Sequence, residues 1–248
     1  MKMTKSLTLA TAVVAMLFGG GQVAKAAIIT GTVSDFTSPD DLLLDPATSV
    51  IAVNVNGGAA APVNGVNFLA DSGTFGGVTA TPSSTNSLPT WVAAPAFTGS
   101  DPTSVANFNT IMQSIRWSLA PATVNVDITG LTPGSLYNVQ LLFSEGGPND
   151  RRFDIGVDGA LVVDDFFTTG TTPATGRVYS GDFDPGADGE LNILLGQEPL
   201  PSDPNNTPFT GADNNPILQA VVIHEVIPEP SSLLLSLLGV AALTRRRR

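Results

Sequence analysis

Apolar and polar residues alternate over short stretches in the middle of the chain, which is the pattern of strands with one buried face. The clearest stretches are residues 124–128, 137–143, 153–157 and 191–195. Asp158-Gly159 follows the third stretch, and this dipeptide favours a tight hairpin. Short strands separated by turns predict an all-β fold, an antiparallel β-sandwich over residues 27–227.

One stretch has helical periodicity instead. Apolar residues recur at helical spacing from Val105 to Ile115, and Asp101-Pro102 provides an N-cap and a first helical residue. We expect one short helix across one end of the sheets. The segments 82–89 and 198–216 are rich in Pro, Asn and Ser and are predicted to be loops.

The first 26 residues have the pattern of a secretory signal. Lys2 and Lys5 precede an uncharged apolar run at residues 7–18, and Ala24-Lys25-Ala26 offers small residues to signal peptidase. We expect a signal helix that is cut before Ala27. The alternative is a permanent anchor, but a run of about a dozen residues is short of the roughly 20 that span a bilayer.

The C-terminal segment, residues 228–248, has three parts. Pro228-Glu229-Pro230 is followed by an apolar stretch, residues 231–243, and by the arginines Arg245, Arg246, Arg247 and Arg248. Prolines keep the first part extended. The apolar stretch predicts a short membrane helix whose arginines remain on the cytoplasmic side of the inner membrane.

Charge narrows the range of partners. All 22 acidic residues lie between residues 27 and 230, together with four arginines and no lysine, so this part has a net charge of −18. Such a surface repels phosphate backbones, and we therefore predict no nucleic-acid partner. The absence of cysteine excludes disulfides and thiolate sites.

The order of parts at the C-terminus resembles the PEP-CTERM sorting tail of Gram-negative and related bacteria. The resemblance implies a processing partner, the membrane protease exosortase, which cuts near Pro228-Glu229-Pro230. It also implies export to the cell envelope or the extracellular matrix, in hosts that commonly make exopolysaccharide. A plain anchor that is never cut is the alternative.

The middle of the chain resembles malectin and its relatives, which are carbohydrate-binding jelly-roll sandwiches of the galactose-binding-like type. The resemblance rests on AVNVNGG (52–58), VNGVNF (63–68), QSIRW (113–117), YNVQLLFSE (137–145) and RFDIGVDG (152–159). It implies a cleft in which an aromatic ring stacks on a sugar and an acid accepts its hydroxyl hydrogen bonds.

The resemblance also implies which residues contact the sugar. Trp117 stands where the family has a ligand-contacting tyrosine, and Asp213 and Asn214 match the segment that supplies its acid. Glu145 and Asp71 belong to the matching motifs and complete the set of candidates. Gly146 follows Glu145, where the family has an aromatic pair.

Other candidate chemistry is limited. No motif requires a cofactor. Four acids, Asp182, Asp184, Asp188 and Glu190, offer oxygen ligands for Ca²⁺. The alternative is that these residues only form two turns. The lone His224 lies in an apolar strand, where a packed histidine is expected. We find no nucleophile elbow, phosphate loop or zinc signature, and we predict no catalytic residue.

Three functions remain open from the sequence. The first is a non-catalytic module that binds extracellular polysaccharide, as the malectin resemblance implies. The second is a structural acidic protein of the surface or matrix that binds no glycan. The third is a glycoside hydrolase or lyase, which needs only two carboxylates at the right separation.

Overall fold

The computed structural model describes residues 27–57, 61–146, 150–168, 170–196 and 214–227. The predicted signal helix and the sorting tail after Ile227 lie outside these residues. The strands are β1 (Ala27–Phe36), β2 (Ser49–Asn54), β3 (Ala61–Val63), β4 (Val66–Ala70), β5 (Gly73–Phe75), β6 (Val78–Ser83), β7 (Asn86–Leu88), β8 (Ile115–Trp117), β9 (Val124–Thr129), β10 (Tyr137–Phe143), β11 (Arg152–Val157), β12 (Ala160–Phe167), β13 (Gly176–Asp184), β14 (Leu191–Gly196), β15 (Ile217–Leu218) and β16 (Ala220–Glu225). The described residues also form one α-helix, α1 (Pro102–Met112), and a single turn of 3-10 helix (Pro39–Asp41).

The strands form two large sheets and one small sheet. The seven-stranded sheet has the order β1-β13-β10-β16-β2-β4-β3, and the six-stranded sheet has the order β12-β11-β14-β9-β6-β5. Within them, all pairs are antiparallel except β2 with β4. The small sheet, β15-β8-β7, lies outside both strand orders. The predicted antiparallel β-sandwich with one short helix is therefore confirmed.

Alternation along each strand produces the main core. Val139 and Leu141 of β10 and Val126 of β9 belong to one buried cluster, which draws on both large sheets. Because successive side chains of a strand point to opposite faces, the intervening positions lie on the outer faces. On β9 those positions, Asn125 and Asp127, are polar and partly or fully exposed, as a half-buried strand requires.

Part of the outer face of the seven-stranded sheet is also apolar and is covered. Leu142 of β10 and Val222 of β16 join Phe108, Ile111 and Met112 of α1 in a second buried cluster. The expectation that the helix lies across one end of the sheets is therefore wrong. The physical reason is that Leu142 of β10, Val178 of β13 and Val222 of β16 place apolar side chains on this outer face, which therefore needs a cover.

Short sequence motifs correctly predicted the start of the helix and one hairpin turn. Asp101 caps α1 by accepting hydrogen bonds from the backbone of Thr103 and Ser104. Asp158 and Gly159 both have positive φ, 48° and 78°, which is the backbone of a two-residue hairpin turn. The predicted hairpin joins β11 to β12.

Two assignments differ from the sequence prediction. The segment 82–89 contains the end of β6 and all of β7 instead of a loop. The last strand is interrupted at Gln219, which is fully buried. Its Oε1 accepts a hydrogen bond from Ser144 N at 3.0 Å, and its Nε2 donates to Ser144 O. These side-chain bonds occupy the backbone of Ser144 at the end of β10.

Candidate functional site

The small sheet carries Trp117, the first residue that the sequence proposes for ligand binding. Trp117 lies in β8, opposite Asn86 of β7 and Ile217 of β15. Its ring is half-buried and packs against the main core. Its indole Nε1 is buried and has no hydrogen-bond partner in the part of the chain that the structure describes.

The segment before β15 brings Asn214 to the same small sheet. Ile217, the β15 partner of Trp117, follows Asn214 by three residues, and Ser118 N donates to Pro216 O at 3.3 Å. Asn214 is half-buried, and its Oδ1 is buried without a partner among the described residues. Asp213, the other candidate from this segment, lies outside the described residues.

Glu145 is part of a buried ionic network beside this segment. Only 3 % of the residue is exposed, and its Oε2 accepts a hydrogen bond from Arg151 Nε at 2.7 Å. Arg151 also donates from Nη1 to Asn215 O at 3.2 Å, and its guanidinium lies 5.0 Å from the centre of the Trp91 ring. The network thus connects the end of β10 to the segment that carries Asn214.

The energetics of this network favour a positioning role for Glu145. Removing one partner of a buried ion pair typically costs about 3–5 kcal/mol, because the other charge is left uncompensated. Here both side chains are nearly inaccessible, 6 % for Arg151 and 2 % for Glu145. A sugar hydroxyl would therefore have to compete with Arg151 for this carboxylate, and direct contact between Glu145 and a ligand stays a prediction.

Asp71 is linked to the small sheet through Arg116. Arg116 Nη2 donates to Asp71 Oδ1, and Arg116 Nε donates to Val55 O. Asp71 follows β4 with a positive φ of 55°, and its backbone N donates to Asn54 O at 2.8 Å. Half of its side chain, 51 %, remains exposed, so a ligand can reach it.

The four calcium candidates do not come together as a group of three acids with close oxygens. Asp182 accepts a hydrogen bond from Asn138 Nδ2 at 2.7 Å, and Asp184 accepts one from Gly186 N at 2.9 Å. Asp188 accepts from Glu190 N at 3.3 Å. The turn geometry that the sequence offered as the alternative explains the contacts of Asp184 and Asp188, whereas Asp182 bonds across β13 and β10 to its register partner Asn138. Calcium binding stays a prediction.

A different acidic group forms in the six-stranded sheet. Oxygens of Asp154, Asp164 and Asp165 lie within 4.8 Å of one another. The register between β11 and β12 shifts here, so Asp154 faces two residues of β12. Asp165 has a φ of 58°, and its N donates to Asp154 Oδ1 at 3.1 Å. The sequence had no signal for the bulge inside β12 that brings Asp164 and Asp165 to Asp154.

His224 is buried on the outer face of the seven-stranded sheet. Only 4 % of it is exposed, and its Nδ1 lies 3.1 Å from Ser49 Oγ. Burial lowers the pKa of His224 to about 4, although the nearby charge of Asp45 raises it slightly. The imidazole is therefore neutral at pH 7, as a packed histidine requires.

Comparison with known proteins identifies one segment. Residues 226–248 match the PEP-CTERM protein-sorting motif. The sorting tail predicted from residues 228–248 is thereby confirmed as a sequence motif. Within the described residues, no helix has the length and apolarity needed to cross a bilayer.

Comparison of the whole chain is less specific. No curated protein matches it. Among solved structures, it is 15 % identical to the plant receptor-like kinase ANX1, with 73 % of this chain and 49 % of that chain covered and a TM-score of 0.49.

Two bacterial or environmental structures also match. For a Bacteroides uniformis β-glucuronidase the identity is 14 %, the coverage 71 % of this chain and 18 % of that chain, and the TM-score 0.40. A family 35 carbohydrate-binding module from an environmental isolate is 13 % identical over 44 % of this chain and 72 % of that chain, with a TM-score of 0.25. With TM-scores below 0.5, none of these structures defines the function of this chain.

Proposed function

We propose that this chain is an exported, non-catalytic carbohydrate-binding protein that is sorted through its PEP-CTERM tail. Signal peptidase removes residues 1–26, and exosortase processes the chain near Pro228-Glu229-Pro230. The sandwich, residues 27–227, faces outward from the inner membrane, to which the tail attaches it transiently or stably. Its partner is an extracellular polysaccharide.

Export is supported by the two ends of the chain. The sorting motif covers residues 226–248, and residues 1–26 have the charge and apolar pattern of a secretory signal. Fractionation of a producing host tests this step. Recovery of a chain that begins at Ala27 outside the cytoplasm supports export, whereas an intact chain with Met1 in the cytosol contradicts it.

Carbohydrate binding is supported by one observation above all. The indole N–H of Trp117 and the amide oxygen of Asn214 are buried without hydrogen-bond partners among the described residues. Buried polar groups are nearly always paired, so such atoms call for an explanation. The hydroxyls of a sugar supply acceptors and donors of the kind that these two atoms lack, and a sugar ring packs on an aromatic face.

A glycan array followed by calorimetry on the full chain tests this binding. We expect Trp117→Ala and Asn214→Ala each to weaken binding of the glycan identified on the array by about tenfold. Leu119→Ala is the matched control, because Leu119 is 63 % exposed two residues after Trp117. Absence of glycan binding, with and without Ca²⁺, overturns the proposal. So does unchanged binding by Asn214→Ala, a variant outside the core.

A second function is favoured by the acidic group on β11 and β12. The group formed by Asp154, Asp164 and Asp165 offers oxygen ligands to a hard cation such as Ca²⁺. In this alternative the chain is a structural matrix protein that assembles with cations and binds no glycan. Calcium-dependent light scattering in the absence of glycan distinguishes it from the leading proposal, and sugar release from a polysaccharide panel identifies a hydrolase or lyase.

A further inference from the structure

A cavity lies between the free edges of the two large sheets, away from Trp117. β1 is the edge strand of the seven-stranded sheet, and β12 is the edge strand of the six-stranded sheet. The cavity has a volume of about 380 Å³ and is lined by Val33, Ser34, Asp35, Val163, Asp164, Asp165, Phe166, Phe167 and Arg177. We call it the edge pocket. Its volume is within the roughly 300–1,000 Å³ of small-molecule sites.

The apolar part of the edge pocket is an aromatic surface that remains accessible. Phe167, at the end of β12, is 45 % exposed, and Val33 of β1 is 42 % exposed. The neighbouring Phe166 is buried in the main core and anchors the end of the strand. Exposing an aromatic ring to water is unfavourable, and a ligand that covers the ring removes this cost. An exposed ring at a concave site therefore marks a contact surface.

The polar part of the edge pocket is held in place before any ligand arrives. Arg177 donates from Nε to Asp35 Oδ1 and from Nη1 to Phe167 O, both at 2.7 Å, and its guanidinium lies 4.7 Å from the centre of the Phe167 ring. Across the pocket, the hydrogen bond from Asp165 N to buried Asp154 fixes the bulge. Preorganised groups lose little entropy when a ligand binds.

These groups together select a class of ligand. Three carboxylates line the pocket, and the two arginines near the Phe167 ring, Arg177 and Arg152, each already contact an acid, so phosphates, sulfates and uronates are repelled. A purely apolar ligand would remove these charged carboxylates from water without new hydrogen bonds, which is unfavourable. A neutral sugar fits both parts, because its C–H face packs on a phenylalanine ring while its hydroxyls donate to carboxylates.

We propose that the edge pocket is a second saccharide site, which binds a neutral pyranose unit on Phe167 with Asp35 and Asp164 as hydroxyl acceptors. The inference rests on the proposed class of ligand but on none of the residues of the Trp117 site. Two separate sites on one sandwich allow the chain to hold a polysaccharide at two points, which raises avidity without stronger individual contacts.

The test uses the full chain, with maltose, cellobiose and lactose as probes, in saturation-transfer NMR and calorimetry with EDTA present. We expect at least one disaccharide to bind. Phe167→Ala weakens this binding by about tenfold or more, and Phe167→Tyr, which keeps the ring, restores it. Phe75→Ala is the matched control, because Phe75 is also an exposed phenylalanine, at 55 %, in a different strand. The control leaves the affinity within about twofold.

The variants also separate this inference from the proposed function. Disaccharide binding that Trp117→Ala abolishes and Phe167→Ala leaves unchanged overturns the edge pocket and supports the Trp117 site. Disaccharide binding that Phe167→Ala abolishes and Trp117→Ala leaves unchanged supports the edge pocket. Failure of all three disaccharides to bind in EDTA also overturns it, while the Trp117 site is judged by the glycan array.

Discussion

At the scale of single residues, buried polar groups determine how the candidate site is arranged. Arg151 forms a buried ion pair with Glu145, an acid six residues before it in the sequence. The sequence did not predict that the pair is buried or that Arg151 contacts Asn215 O. This contact joins segments that are 64 residues apart in the sequence. Local charge patterns predict that a pair forms but not where the fold places it.

His224 gives stability a specific pH dependence. Its pKa is about 4 in the folded chain and about 6.5 when unfolded, so the unfolded chain binds more protons between these values. The stabilisation is complete above about pH 6.5 and is lost as the pH falls towards 4. We expect a loss of about 3 kcal/mol from this residue in the free energy of unfolding.

Urea unfolding of the full chain at several pH values measures this contribution. His224→Gln keeps a polar side chain but does not titrate, and every carboxyl group is common to both chains. The difference in unfolding free energy between them should therefore change across this pH window and remain constant below it. Parallel pH profiles for the two chains would mean that burial does not depress the pKa of His224.

At the scale of elements, local periodicity predicted strands and one helix but not their neighbours. The hairpin at Asp158-Gly159 and the helix at Asp101 have signals within a few residues. β7 was missed because only one of its three residues, Leu88, is apolar. The position of the helix was wrong because no local pattern states which sheet face needs a cover.

The helix should contribute to stability chiefly through Phe108. Its ring is fully buried and lies 5.1 Å from the Phe97 ring and 5.8 Å from the Phe36 ring. Truncation leaves a cavity in the second cluster, so Phe108→Ala should destabilise the chain by about 3–5 kcal/mol. Thr110→Ala, on the exposed side of the same helix, should change stability by less than about 0.5 kcal/mol.

Chemical denaturation followed by circular dichroism compares the two helix variants with the unmodified chain. A loss of less than about 1 kcal/mol for Phe108→Ala contradicts the assignment of the helix as the cover of the outer face. An equal loss for Thr110→Ala would show that the loss does not come from the buried ring, because alanine has a higher helix propensity than threonine. Only a large difference between the two variants supports the second core.

At the scale of the whole molecule, the buried cores stabilise the compact state and the net charge destabilises it. Two sheets bury the main core, and the helix buries a second core on the outer face. Each of the four arginines between residues 27 and 230 contacts a carboxylate. No other basic side chain except neutral His224 is present there to offset the remaining acids. The net charge of −18 therefore acts against compaction.

Salt should accordingly stabilise the exported chain. The screening length falls from about 30 Å at 0.01 M to about 10 Å at 0.1 M ionic strength, which suppresses repulsion between distant carboxylates more than contacts within ion pairs. Each kcal/mol of repulsion removed raises Tm by about 2–4 °C in a chain of this size. We expect calorimetry to show such a rise between these NaCl concentrations.

Choline chloride, which has a bulky cation, should give the same rise if screening is the cause. A rise confined to CaCl₂ at matched ionic strength would instead indicate a specific cation site, and a lower Tm in NaCl would show that ion pairs outweigh the net repulsion.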